Sequence, residues 1–454
     1  MGERTPGRVR GLALAGVLAW ALVCTGLYAL LSWRRLARFE PASWDNAIFE
    51  QALRGYAELR GPIVDVKGPG FNLLGDHFSP LLAVLAPIYR LVPGPETVLF
   101  AQAALLGASV AVVTAAALRH AGPWAGWALG VAYGLSFGLV AAVQADFHEV
   151  ALAAPLLACA GAAFVDRRPV AVVGWTLPLL LVKEDLGATV LMAGVALWLV
   201  GRRRHGAVLA AAGAVGAALV LLVLIPWFNP DGGYDYAASV GGDRGVLTVL
   251  VDAAGTKTTT LVLTFAVTGF AALASPWALL VLPTFAWRFV GDTATYWGTD
   301  WHYSLVLMPI VFLAALDAMT RRPTLRLAAV PALVVTLAMV PTTALWDLTR
   351  PETYGPGQRA QAARAVLDQV PAGASVETDI GLITHLVTDR TVYWLGTSGR
   401  GTMPPGEPEY VLLDHAGGYG SPDSARAHGE RRWGGTWRTV VERDGYDLAR
   451  RVAP

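Results

Sequence analysis

Long apolar runs organise this chain, and its polar residues are gathered into short segments between them. The first run, Gly11 to Trp33, carries 23 residues without a charge. At about 1.5 Å per residue that is enough to cross a hydrocarbon core. It is too long for a signal-peptide core and no small-x-small cleavage site follows, so it reads as a retained span. Further apolar runs lie near 97–118, 123–143, 149–165, 169–182, 186–200, 206–228, 258–274, 276–290, 303–319 and 326–346. The shorter run 78–92 contains Pro80 and Pro87 and ends at "YRLVPGP", which suits an interfacial or re-entrant helix.

Basic clusters orient these runs. With Arg4, Arg8 and Arg10 inside and 78–92 not crossing, Arg119-His120, Arg167-Arg168, Arg202-Arg203-Arg204 and Arg321-Arg322 all fall on the cytoplasmic side. The exception is Arg34, Arg35 and Arg38, directly after the first span. The expectation is an α-helical polytopic membrane protein of about 11 transmembrane helices plus juxtamembrane helices. Its transmembrane domain covers 1–347 with a first outer loop at 34–96, in the cell (plasma) membrane, with the N-terminus cytoplasmic. Residues 348–454 change character: "ASVET", "TVYWL" and "EYVLLDH" read as strands between turn residues, after an amphipathic "RAQAARAVLDQV". They are expected to form a small extracytoplasmic α/β domain.

Composition agrees, with 54% apolar and 15% charged residues and a mean hydropathy of +0.48. A net charge of +1 without a basic, aromatic-rich stretch argues against a nucleic-acid partner. Cys24 and Cys159 both sit in apolar runs, which disfavours a disulfide or zinc site.

The same topology sorts the remaining polar motifs. "SWDNAIFEQ" (Asp45, Glu50), "GDHFSP" (Asp76, His77), "ADFHEV" (Asp146, His148, Glu149), "KEDLG" (Lys183, Glu184, Asp185), "DGGYDY" (Asp231, Tyr234, Asp235) and "GTDWHYS" (Asp300, His302, Tyr303) all land on the outer face. Ionisable groups at membrane depth cost a few kcal/mol each unless paired or wet, so their convergence marks a functional site. Each motif also has a structural explanation. Ser43 can cap a helix, with Asp45 at its positive end, and Asp76 can cap the turn before Pro80. "ADFHEV" can be a cap at the interface, "KEDLG" a hydrophilic loop, and "DWHYS" part of an aromatic belt with Trp297 and Trp301. Asp45 shares a helical face with Ile48, Phe49, Ala52 and Tyr56, whereas Glu50 reads as a solvated or supporting position.

The motifs "WDNAIFEQ", "GDHFSP", "ADFHE", "KED" and "WHY", with a later "ASVETDIGLITHL" and "EYVLLD", resemble the bacterial multi-pass membrane proteins of the DUF2079 family over about 40–415. That family is similar to the GT-C class of membrane glycosyltransferases. The resemblance implies an acidic catalytic base in the first outer loop, here Asp45. It also implies a donor sugar on polyprenyl phosphate and a glycan, lipid or protein acceptor in the cell envelope. "DHFSP" stands where such enzymes have a His-Pro-Pro-like turn, and "ADFHE" where they have acids in a second outer loop. Unlike them, this chain has no Asp-x-Asp pair after the first span, and its C-terminal domain is small.

For an inverting transfer, the base takes a hydroxyl proton while negative charge builds on the departing phosphate. Candidates to meet that charge are Lys183, His77, His148 and His302, then Arg244 or Lys257. Alternatively Asp146, Glu149, Glu184 and Asp185 are candidates to hold Mg²⁺ or Mn²⁺. The set expected to bind substrate is Glu50, Asp76, His77, Asp146, His148, Glu149, Lys183, Glu184, Asp185, His302 and Tyr303. The alternatives are a transporter or flippase of an envelope precursor, or a non-catalytic envelope scaffold. A transporter predicts buried charges at mid-span or on both faces, and inverted repeats, neither of which the sequence displays.

Overall fold

The computed structural model describes residues 6–40, 44–355, 357–397, 406–417 and 424–452. Arg4 and Ser43 lie outside these, and with Ser43 the expected helix cap. The chain is mostly helical. In order come α1 (Pro6–Ala37), α2 (Trp44–Ala57), α3 (Pro95–Ala121), α4 (Pro123–Gly134), α5 (Phe137–Gln144), α6 (Ala153–Val165) and α7 (Pro169–Thr176). Then follow α8 (Leu186–Leu199), α9 (Arg203–Leu219), α10 (Ala254–Ala266), α11 (Leu282–Val290), α12 (Leu307–Arg321) and α13 (Ala329–Met339).

Among the described residues, five segments are long and apolar enough to cross a membrane: Ala13–Ala37, Pro95–Ala121, Pro123–Gln144, Arg203–Phe228 and Pro323–Thr342. A sixth results if Ala294–Ser304 and Leu307–Arg321, bent by 67°, count as one. Length therefore supports five or six crossings where the apolar runs suggested eleven. The other runs form shorter helices, among them Glu149–Val165, Pro169–Leu181, Leu186–Leu199 and Pro276–Val290. Proline explains part of this shortness: Pro178 and Pro276 lie in tightened 3₁₀ turns, where a missing N–H and the ring's bulk disturb the α-helical ladder. Segment 80–91 is also short and carries Pro80 and Pro87 near the starts of its two turns.

Within the bundle, α8 and α9 form a tight hairpin through small residues. A Cβ on Gly194 would lie 2.3 Å from the Ala210 nitrogen, so only glycine permits this approach. Helices α6, α8 and α12 share one direction. Each starts just after a polar motif (His148-Glu149, Lys183–Asp185, His302-Tyr303) and ends at a basic cluster. The carboxylate-rich motifs and the arginine clusters thus occupy opposite ends of the same helices, about 22 Å apart along α12.

A five-stranded sheet follows, in the order β2-β1-β3-β5-β4, with β1 (Ser375–Thr378), β2 (Thr391–Trp394), β3 (Tyr410–Asp414), β4 (Thr436–Arg443) and β5 (Tyr446–Val452). The first three coincide with the expected strands and pair in parallel, and α14 (Gln358–Leu367) matches the amphipathic stretch. The β4–β5 hairpin is an addition the sequence reading did not make. Its turn is Asp444-Gly445, both at positive φ, the geometry that matches strand twist in two-residue hairpins. Charged residues crowd β4, an exposed edge strand, and mask its alternation.

The sheet shares a hydrophobic core with the first loop: Ile48, Phe49 and Leu53 of α2 belong to the same buried cluster as Val376, Leu386 and Leu448. Polar contacts reinforce the seam, with Asn46 Nδ2 donating to Thr384 Oγ1 at 2.6 Å and Thr397 Oγ1 to the Val66 carbonyl at 2.6 Å. Arg34 lies over the Tyr354 ring, and Arg38 pairs with Glu40 and donates to the Glu352 carbonyl. The arginines that broke the charge rule therefore tie the end of α1 to the segment after the last span.

Candidate active site

A cavity of about 390 Å³ opens at the carboxylate-rich end of the bundle. Asp45, in the first turn of α2, forms part of its wall, with its side chain 32% exposed. Ile48 and Phe49 of the same helix are buried, so the amphipathic face anchors α2 and turns Asp45 toward the cavity rim.

Three pairs of side chains organise the polar wall. His148 Nε2 lies 3.2 Å from Asp45 Oδ2, and the His148 ring stacks on that of His302. Nδ1 of His148 is 3.3 Å from the Asp146 carbonyl, which can only accept, so the Nδ1 proton points there and Nε2 faces the carboxylate. Lys183 Nζ donates to Glu149 Oε1 at 2.6 Å, with the Glu149 side chain fully buried. His77 Nδ1 lies 3.4 Å from Glu184 Oε1, and Glu184 also accepts from the Phe78 N–H and the Tyr234 hydroxyl.

Electrostatics follow from these pairs. Burial alone would raise the Asp45 carboxyl, but His148, His77 and Lys67 together hold it below its usual value. Burial opposes charge on His77, yet Asp76 and Glu184 carry its imidazole above the ordinary range. Glu184 is drawn down by His77 and Lys183 in spite of burial. Asp185 moves the other way, pushed up to about 6 by burial and by the Glu184 and Glu149 charges. Three carboxylates near one lysine cannot all ionise cheaply, and Asp185 is the one that yields.

Ten residues singled out in the sequence line this cavity: Asp45, His77, His148, Glu149, Lys183, Glu184, Asp185, Tyr234, His302 and Tyr303. Others do not reach it. Glu50 is fully buried behind α2, where Tyr89 and Thr388 donate to its Oε1, which corrects its reading as a solvated position. Asp76 is buried and pairs with Lys67 Nζ at 2.6 Å, and no side-chain cap forms before Pro80. Asp146 adopts a left-handed φ of 66° and sits outside the cavity lining. Burial pushes its carboxyl up to about 7, with Arg35 and His148 only partly offsetting it. Arg244 pairs with Asp252 and Asp292, and Lys257 donates to the Val249 carbonyl over the Trp297 ring, so neither cation faces the cavity.

Further lining residues escaped sequence reasoning. Tyr236 places its hydroxyl 3.2 Å from His77 Nε2, and Trp287 and Tyr296 form an edge-to-face cluster with the expected Tyr303. Buried Arg288 holds that wall by donating to the Tyr296 and Gly298 carbonyls and to Ser304 Oγ. A lone arginine inside an apolar run was the available signal for it.

Three of the four candidate Mg²⁺ or Mn²⁺ donors do not fit a cation as arranged, which leaves Asp185 as the remaining candidate in the cavity lining. Glu149 is neutralised by Lys183, Glu184 is held by three donors, and Asp146 lies outside the cavity lining. Among the described residues no group of three or more His, Cys, Asp and Glu side chains has metal-holding geometry.

No curated protein matches the chain. The family model described as a predicted membrane protein, DUF2079, matches residues 35–448, from the end of α1 into β5 and including every cavity-lining motif. The chain therefore belongs to the DUF2079 family of predicted membrane proteins.

Proposed function

We propose that this protein is a GT-C-like membrane glycosyltransferase of the plasma membrane, moving a sugar from a polyprenyl-phosphate donor to an envelope acceptor. In this reading the cavity faces outward, the N-terminus is cytoplasmic, and all eleven apolar runs embed in the bilayer, the shorter helices crossing where the protein thins it. The 348–454 segment is then an extracytoplasmic domain. The observation that carries the proposal is the placement of the Asp45 carboxyl, beside His148, in the wall of one cavity that His77 and Lys183 also line.

The chemistry follows from that placement. Asp45 takes the acceptor hydroxyl proton as the acceptor oxygen bonds to the anomeric carbon and the bond from that carbon to the phosphate oxygen breaks. The electron pair leaves with the lipid phosphate. Lys183 and His77 offset the charge growing on its oxygens, and the starts of α8 and α12, which follow cavity residues, add the positive ends of two helix dipoles. Tyr234, Tyr236 and Trp287 offer aromatic surfaces for a sugar ring. The remaining substrate-binding candidates, Glu50, Asp76 and Asp146, act through these residues as supports.

Release of polyprenyl phosphate from a panel of polyprenyl-phosphate sugars by the purified protein tests this. Asp45→Asn is expected to lower the rate by about 10²-fold or more, the usual contribution of a general base, while leaving the folded yield unchanged. Full activity of that variant would overturn the role of Asp45, and inactivity of the wild type across the panel would overturn the enzyme reading.

A further inference from the structure

A second pocket, of about 430 Å³, lies at the opposite end of the bundle from the cavity. The C-terminal ends of α6, α8 and α12 converge there with the start of α7 and with Pro276. Phe164, Val172 and Leu197 line its wall, and its rim carries four arginines from three separate connections: Arg167, Arg168, Arg202 and Arg321. All four are exposed.

This rim is built rather than incidental. Asp317, fully buried, sits behind it and pairs with Arg167 at 3.0 Å and with Arg321. It also accepts from Ser275 Oγ at 2.5 Å, and that oxygen in turn caps the Trp277 N–H. One buried carboxylate thus positions two guanidinium groups from different helices. The ion pairs at this end use Arg119, Arg167 and Arg321, and none among the described residues uses Arg168 or Arg202. Four positive charges face one negative charge, an imbalance that calls for an anion. Guanidinium groups match phosphate oxygens in fork geometry. Val170, Trp175, Trp198 and Leu199 are exposed apolar side chains on the helices flanking the mouth, placed where acyl chains would run.

We propose that this pocket binds the phosphate headgroup of an anionic phospholipid in the leaflet opposite the cavity. The headgroup phosphate bridges Arg168 and Arg202 to the pair held by Asp317, clamping the ends of α6, α8 and α12, whose other ends carry the cavity motifs. The site does not depend on the glycosyltransferase reading.

Native mass spectrometry and thermal unfolding of delipidated protein, with phosphatidylglycerol or phosphatidylcholine added back, test it. The wild type is expected to retain one phosphatidylglycerol and to unfold at higher temperature with it than with phosphatidylcholine. Arg168→Gln with Arg202→Gln is expected to weaken that lipid's binding about thirtyfold, roughly fivefold for each arginine near an anionic headgroup. Arg203→Gln with Arg204→Gln, at the same end but outside the pocket, should change it by less than about twofold. Equal losses in both double variants, or no preference for phosphatidylglycerol in the wild type, would overturn the pocket as a specific site. Stabilisation by inorganic phosphate equal to that by the lipid would overturn the lipid assignment.

Discussion

The imidazoles of His148 and His302 stack with ring centroids 3.4 Å apart and planes 28° from parallel. One ring precedes the α6 segment and the other the α12 segment, so the stack joins two helix starts across the cavity floor. It also fixes His148 beside Asp45. His148→Gln removes the largest favourable interaction acting on that carboxyl, leaving burial opposed by His77 and Lys67 alone. The Asp45 pKa should then rise, so the acid limb of the pH profile of kcat/KM moves to higher pH. An unmoved acid limb would show that His148 does not tune Asp45.

Lys183 and Glu149 form a buried pair, and breaking it is expected to be costlier than replacing it. Lys183→Met leaves Glu149 buried without a counter-charge, a loss of about 3–5 kcal/mol read as a fall in unfolding temperature. Lys183→Met with Glu149→Leu should recover most of that stability but not the proposed transfer activity, which would lack the cation assigned to the leaving phosphate. Recovery of activity in the double variant would remove Lys183 from the mechanism.

Glu50 supplies a pH dependence outside the cavity. Burial pushes its carboxyl up to about 8, with only Thr388, Tyr89 and Arg54 opposing. A carboxyl raised on folding contributes stability that is complete below its unfolded value near 4.5 and disappears as pH rises through about 8. The seam between α2 and the sheet should therefore loosen between those limits, by a few kcal/mol in all. Hydrogen exchange across residues 380–390 reads this, and Glu50→Gln should flatten the dependence. An unchanged slope in that variant would shift the effect to another group.

Orientation is testable in cells. In a background lacking Cys24 and Cys159, cysteines at the exposed positions 231 and 300 should react with a membrane-impermeant thiol reagent, and one at position 203 should not. The reverse pattern would place the cavity inside the cell.

Much was legible before any coordinates. Apolar runs predict helices because a chain in lipid must satisfy its backbone internally, and they located nearly every long helix. The motifs around Asp45, His77, His148, Lys183 and His302 stood out because charge is costly at those depths. The sequence also determined β1, β2 and β3, whose short apolar runs flanked by turn residues are a local signal. What tertiary structure decided was which charges meet. Glu50 and Asp45 lie five residues apart on one helix, yet one is sealed against Tyr89 and the other lines the cavity. That choice depends on how α2 docks against the sheet, a contact spanning more than 300 residues of chain. The parts played by Tyr236 and Arg288, and the convergence of four arginines on one pocket rim with Asp317 behind two of them, are likewise fixed by packing between distant segments, which no local pattern encodes.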